Sequence, residues 1–276
     1  MAPGGVSEDG LGTLRALAVG FVGLRSQAVE VAVAVAVAVA VAVVRGGSLE
    51  VEVHRVSSSL VRQLRPHVAE FIGVFALVFV GCGTVAIGKL DALGSALAFG
   101  GTLGIMVYAV GHLSGGHINP AVTIGLAVGR QFPWAKVPGY LVAQAAGAAL
   151  AALVLRLTLN SNAPLGVNHP SGSDGQSFVW EVVMTFFLVF VVTSVATDKR
   201  AVRSAAGLAI GGTVVLDALV GGPISGASMN PARSFGPALI AGDFNSLWIY
   251  LIAPVVGGII AALVYAFLRE EPTAAN

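Results

Sequence analysis

Apolar residues run along this chain in six long blocks, near 67–88, 92–111, 138–157, 177–196, 204–222 and 246–268, with the charged residues gathered mostly between them. Each block is about 20 residues, which as helix covers roughly 30 Å, the thickness of a bilayer's hydrocarbon core. Two more apolar stretches, 120–129 and 231–241, are about half as long, and each opens on Asn-Pro-Ala. The pattern predicts an all-α membrane protein of six spanning helices and two half-helices that enter the bilayer without crossing it. The segments leading into the short stretches, 111–118 and 221–229, are rich in Gly and Ser and read as loops.

Composition removes the soluble alternatives. The chain is 56% hydrophobic and 11% charged, against about 25% charged residues in an ordinary soluble domain. A net charge of +1 gives no reason to expect a nucleic-acid partner. The single cysteine, Cys82, lies in an apolar run, reads as a small buried hydrophobe and excludes both an intrachain disulfide and a cysteine-based metal cluster. No metal or cofactor is expected.

Residues 1–65 differ from the rest. Val31 to Val44 reads VAVAVAVAVAVAVV, 14 residues, which is short of a spanning helix. It follows Glu30 and lacks a convincing cleavage site, so it is not a signal peptide either. Residues 1–65 are expected to be a low-complexity extension, disordered or not native, with the natural protein starting near Val61. The channel-like domain is expected over 66–270, with a short tail at 271–276.

Lys and Arg set the orientation. Arg62 and Arg65, Arg130 and Lys136, Lys199, Arg200 and Arg203, and Arg269 all fall on one side of a six-span topology. Chiefly Lys89 and Arg156 fall on the other. Basic loops stay cytoplasmic, so both termini are expected there, in the cell membrane.

The sequence repeats itself at an offset of 111 residues. Glu70 falls on Glu181, Phe75 on Phe186, Gly100 on Gly211, Ser114 on Ser225, and Asn119-Pro120-Ala121 on Asn230-Pro231-Ala232. Each copy, near 66–157 and 177–268, holds three spans and one half-span. An odd number of crossings inverts the second copy, so the half-helices enter from opposite faces and their N-termini meet near the middle. Asn is a favoured N-cap and Pro a favoured first helical residue, so each motif starts a helix. At mid-membrane depth such a start must be buried or line a watery cavity. Asn119 and Asn230 are then expected to present amide donors to a pore, while the two positive helix ends repel cations and protons. Arg233 follows the second motif where the first has Val122. An intramembrane Arg costs at least about 2.5–3.5 kcal/mol on insertion scales, so it is expected to serve the pore.

The motifs SGGHINPAVTIG and SGASMNPARSFGPAL, with Ala69-Glu-Phe-Ile-Gly73 in the first span, resemble the aquaporin, or major intrinsic protein, family over about 66–268. The resemblance implies a right-handed bundle of six spans and two half-helices, and a homotetramer with one pore per subunit. It implies a selectivity ring of Phe99, Ala218, Ala227 and Arg233, wider and less polar than a water-only ring. It also implies that Glu70 and Glu181 accept hydrogen bonds from the re-entrant loops. The segment GGPISGASMNPARS is similar to the nodulin-like branch, which carries glycerol and metalloid hydroxides. Three features depart from a single pattern: Ser234 stands where glycerol facilitators have Asp, Tyr250-Leu251 is closer to the solute-conducting pattern, and Phe99 stands where the nodulin-like ring has Trp. Asp217 has Met106 as its repeat counterpart and reads as structural. His112 and His117 read as loop braces.

The expected function is a passive channel for water and small uncharged solutes that excludes ions and protons. A strict water channel is the alternative, disfavoured by the two alanines. An ion-coupled transporter needs titratable groups on the path, and only Asp217 offers one. An enzyme is disfavoured because the chain presents no nucleophile–base pair, metal-ligand cluster or phosphate-binding loop.

Overall fold

A computed structural model describes residues 49–159, 164–198 and 200–269. Eight α-helices follow in order: α1 (Leu49–Ile87), α2 (Ala92–Ser114), α3 (Pro120–Val128), α4 (Val137–Thr158), α5 (Asp174–Val192), α6 (Ala206–Ser225), α7 (Pro231–Ala241) and α8 (Leu247–Leu268). Among the described residues every regular element is helical. Among the described residues six stretches are long and apolar enough to cross a membrane: Val61–Ile87, Ala92–Ser114, Trp134–Thr158, Asp174–Thr197, Ala206–Ser225 and Leu247–Leu268. The half-helices are α3 and α7.

The chain divides into two compact units, Met1–Leu64 and Arg65–Asn276. The Val31–Val44 run and the 271–276 tail lie outside the described residues. Residues 49–65, expected as part of a low-complexity extension, belong to helix α1. Leu, Glu, Gln and Arg in this stretch are good helix formers, which a reading based on the Val/Ala run overlooked.

Helices α2 and α6 continue to Ser114 and Ser225, beyond the expected ends at 111 and 222. What stops them is a glycine in the left-handed region, Gly115 at φ 93° and Gly226 at φ 80°. Glycine adopts that conformation without a Cβ penalty and so caps the helix. The earlier Gly111 and Gly222 stay helical, and the loops shrink to 115–118 and 226–229.

Small residues bring the helices together. A Cβ on Gly104 would stand 2.7 Å from the Gly207 carbonyl, and one on Gly207 would stand 2.6 Å from the Gly104 carbonyl. Gly100 and Gly211, which are repeat counterparts, meet each other in the same crossing, so the two-fold relation between the copies passes there. Without a hydrophobic drive between helices in lipid, such close approach supplies the dispersion contact that holds them. The copies also interlock. Half-helix α3 packs on α8 of the second copy, and α7 packs on α4 of the first.

Candidate functional site: a two-fold junction beneath an arginine-lined constriction

Each half-helix starts as its sequence demands. Asn119 sits in extended backbone with its side chain accepting from Ala121 N–H, and Pro120 follows as the first helical residue. Asn230 accepts from Ala232 and Arg233 N–H, and Pro231 follows. The amide groups then reach across the junction. Asn119 Nδ2 donates to the Met229 carbonyl at 2.7 Å, and Asn230 Nδ2 donates to the Ile118 carbonyl at 2.8 Å. Each NH₂ therefore gives one hydrogen to the opposite loop, a role the sequence did not reveal.

That exchange requires unusual backbone. Ile118 lies at φ 53° and Met229 at φ 52°. A branched residue in the left-handed region is strained and persists only where its surroundings fix it. The fixing groups are Glu70 and Glu181, both fully buried. Glu70 accepts from Ser114 Oγ (2.6 Å), His117 N–H (2.9 Å), Ile118 N–H (2.6 Å) and Gln144 Nε2 (2.7 Å). Glu181 accepts from Ser225 Oγ (2.8 Å), Ser228 N–H (2.8 Å) and Met229 N–H (2.7 Å). A carboxylate at this depth is tolerable because several donors converge on it. Tyr140 and Tyr250 complete the brackets, each donating at 2.8 Å to the last carbonyl of a helix, that of Ser114 and of Ser225. Tyr250 is thus a buried brace, as is His117, whose Nδ1 lies 3.1 Å from Thr123 Oγ1 and whose ring packs on Phe132 and Tyr140. His112 is exposed.

Two cavities meet beside this junction. A narrow one of about 30 Å³ passes Asn119 and Asn230, with Leu77, Leu103, Leu188 and Val214 among its apolar lining. A wider one of about 320 Å³ is lined in part by Ser95, Gly166, Asn168 and Gly226. Phe99, Ala218, Ala227 and Arg233 line both, so these four stand where the narrow track opens into the wider chamber. Asp217 lines neither.

Arg233 is buried, with its Nη1 donating to the Gly166 carbonyl at 2.6 Å and to Asn168 Oδ1 at 2.7 Å. Its guanidinium carbon is 4.8 Å from the centre of the Phe99 ring. Both of these acceptors are neutral groups. Sequence reasoning missed Asn168, Gln144 and Tyr140. Gln144 and Tyr140 fall on the apolar Val255 and Leu251 at the 111-residue offset, and Asn168 lies between the two copies, so the repeat gave no signal for them.

Residues 57–265 match the family model of the major intrinsic protein family. Aquaporin NIP1-1 of Oryza sativa subsp. japonica is 49% identical over 208 residues, which are 73% of this chain and 73% of that protein. Nodulin-26 of Glycine max is 48% identical over 212 residues, 75% of this chain and 78% of its own length. The X-ray structure of the aquaglyceroporin from Plasmodium falciparum superposes with a TM-score of 0.65 at 26% identity, covering 74% of this chain and 95% of that one.

Proposed function

The chain belongs to the major intrinsic protein family, and on that premise we propose that its pore is tuned to glycerol-like polyols and neutral metalloid hydroxides as well as water. It is a multi-pass membrane channel for water and small neutral solutes, and it is not an enzyme. The finer reading is carried by one observation: the two alanines, Ala218 and Ala227, facing Phe99 and Arg233 where the cavities join. Small side chains on two of four sides leave room for a carbon skeleton, while Arg233 supplies donors for hydroxyl oxygens. The guanidinium, held by neutral acceptors, and the two half-helix N-termini raise a barrier to cations and protons. Asn119 and Asn230 offer the remaining amide hydrogens to molecules in single file.

A homotetramer with one pore per subunit follows from family likeness. The concentration of Lys and Arg on one side of the spans favours cytoplasmic termini in the cell membrane. Stopped-flow light scattering of proteoliposomes under water, glycerol and neutral-metalloid gradients tests the substrate reading. Glycerol permeability no higher than that of empty vesicles defeats it. Replacing Ala218→His together with Ala227→Cys narrows the ring, and is expected to suppress solute flux more than water flux. Equal loss of both counts against the ring.

A further inference from the structure

We propose that Asn168 is a specificity-determining positioning residue: it fixes the aperture of the outer constriction by holding Arg233, and it does so with a neutral group so that the arginine's charge still faces the pore. The proposal rests on reading Arg233 as part of that constriction.

Asn168 is 4% exposed and makes three hydrogen bonds to three separate points. Its Oδ1 accepts from Arg233 Nη1 at 2.7 Å and from Ser234 Oγ at 2.8 Å. Its Nδ2 donates to the Gly226 carbonyl at 3.0 Å. The first two partners lie on half-helix α7, and the third lies in the loop that carries Ala227 into the ring. One side chain thereby ties two of the four ring positions to the loop between α4 and α5.

That loop is itself seated. Leu165 at φ 53° and Gly166 at φ 67° turn the chain so that the Gly166 carbonyl and the Asn168 amide face the same guanidinium. A Cβ on Gly166 would stand 2.9 Å from Cys82 Cβ, so the turn rests directly on α1. Arg233 is therefore held from outside its own helix by a backbone that cannot easily yield.

The residue type is as informative as the position. Only an amide of this length offers one oxygen to two donors and one NH₂ to a carbonyl. A buried arginine in a membrane pairs either with a carboxylate, which offsets its charge, or with neutral acceptors such as backbone carbonyls, which do not. An aspartate here would keep the bonds from Arg233 and Ser234, lose the donor to Gly226 and cancel the field that repels cations. Asparagine keeps the geometry and leaves the charge.

The test compares Asn168→Ala, Asn168→Asp and Arg233→Ala with the parent in proteoliposomes. Water, glycerol, erythritol and potassium fluxes are measured. In Asn168→Ala the glycerol-to-erythritol permeability ratio falls by about three- to ten-fold, because a loosened guanidinium no longer defines the width. In Asn168→Asp that ratio stays near the parent's, while a potassium leak appears that the parent lacks. Adding Asn168→Ala to Arg233→Ala changes nothing further. An unchanged ratio in Asn168→Ala, with a collapsed one in Arg233→Ala, overturns the proposal and leaves the ring intact. An unchanged ratio in Arg233→Ala defeats the ring reading itself. A further drop in the double variant shows that Asn168 acts by another route and also overturns the proposal. Should Asn168→Ala fail to fold, Asn168→Asp decides: no potassium leak overturns it.

Discussion

The two halves of the pore are built from matching positions of one repeat, yet the four positions that share the opening carry different residues in the other copy. Phe99 on the outer side has Ile210 as its counterpart, Ala227 has Gly116, Ala218 has Val107 and Arg233 has Val122. The scaffold beneath is nearly identical in the two copies: a glutamate accepting two loop N–H groups, a left-handed residue before the asparagine, and an asparagine donating across the junction. Duplication thus supplies a symmetric frame, and a few substitutions on the frame supply selectivity. The frame itself is not perfectly even. Gln144 braces the first half-helix by donating to both Glu70 (2.7 Å) and Thr123 (3.0 Å). In the second copy Ser234, the counterpart of Thr123, is held by Asn168 instead.

The harshest way to break the comparison is to force symmetry on it. Val122→Arg gives the inner half a buried arginine without the Gly166 and Asn168 acceptors that receive Arg233. A loss of about 3–5 kcal/mol is expected, the range for an uncompensated buried charge. It is read as failure to recover monodisperse protein in detergent, and normal recovery would show that the outer acceptors are dispensable. Next in size are Glu70→Gln and Glu181→Gln. Each turns an NH₂ toward a backbone N–H and leaves a buried donor unmet, for about 1–3 kcal/mol. Thermal unfolding in detergent should place Glu70→Gln lower, since it also faces Gln144. Equal shifts would remove that asymmetry.

Arg233→Val makes the outer half resemble the inner. The glycerol-to-water permeability ratio is expected to shift about tenfold, equivalent to ~1.4 kcal/mol of differential barrier, with stopped-flow scattering as the readout. Gln144→Leu should cost about 1 kcal/mol. In that background the Glu70→Gln and Glu181→Gln penalties should become equal, which a double-mutant cycle measures directly. The mildest change is Ala227→Gly. Ala227 lies at φ 43° where its counterpart Gly116 lies at φ 63°. Relief of a left-handed alanine should raise stability by about 0.5 kcal/mol, and a lowered melting midpoint would place the strain elsewhere.

How much of this was legible follows from what leaves a periodic trace. The spans could be read because lipid demands about 20 apolar residues per crossing. The half-helices could be read because Asn119-Pro120 and Asn230-Pro231 carry N-cap chemistry in segments too short to cross. Helix ends were misjudged at Gly111 and Gly222, since a glycine ends a helix only where its φ turns positive, and that happens at Gly115 and Gly226. Tyr250, which the sequence offered only as part of a solute-conducting pattern, is a brace that donates to the Ser225 carbonyl.

The sequence alone determined the membrane as solvent, the inverted repeat and the two facing motifs, because hydrophobic length and an exact offset are properties of one dimension. Only the tertiary structure decided which carbonyl each asparagine amide meets, and that Asn168 and Gln144 brace different halves. It also showed that Phe99, Ala218, Ala227 and Arg233 share one opening. Those pairings join residues far apart in the chain, and a hydrogen bond depends on distance and direction in space, which spacing along the backbone does not encode.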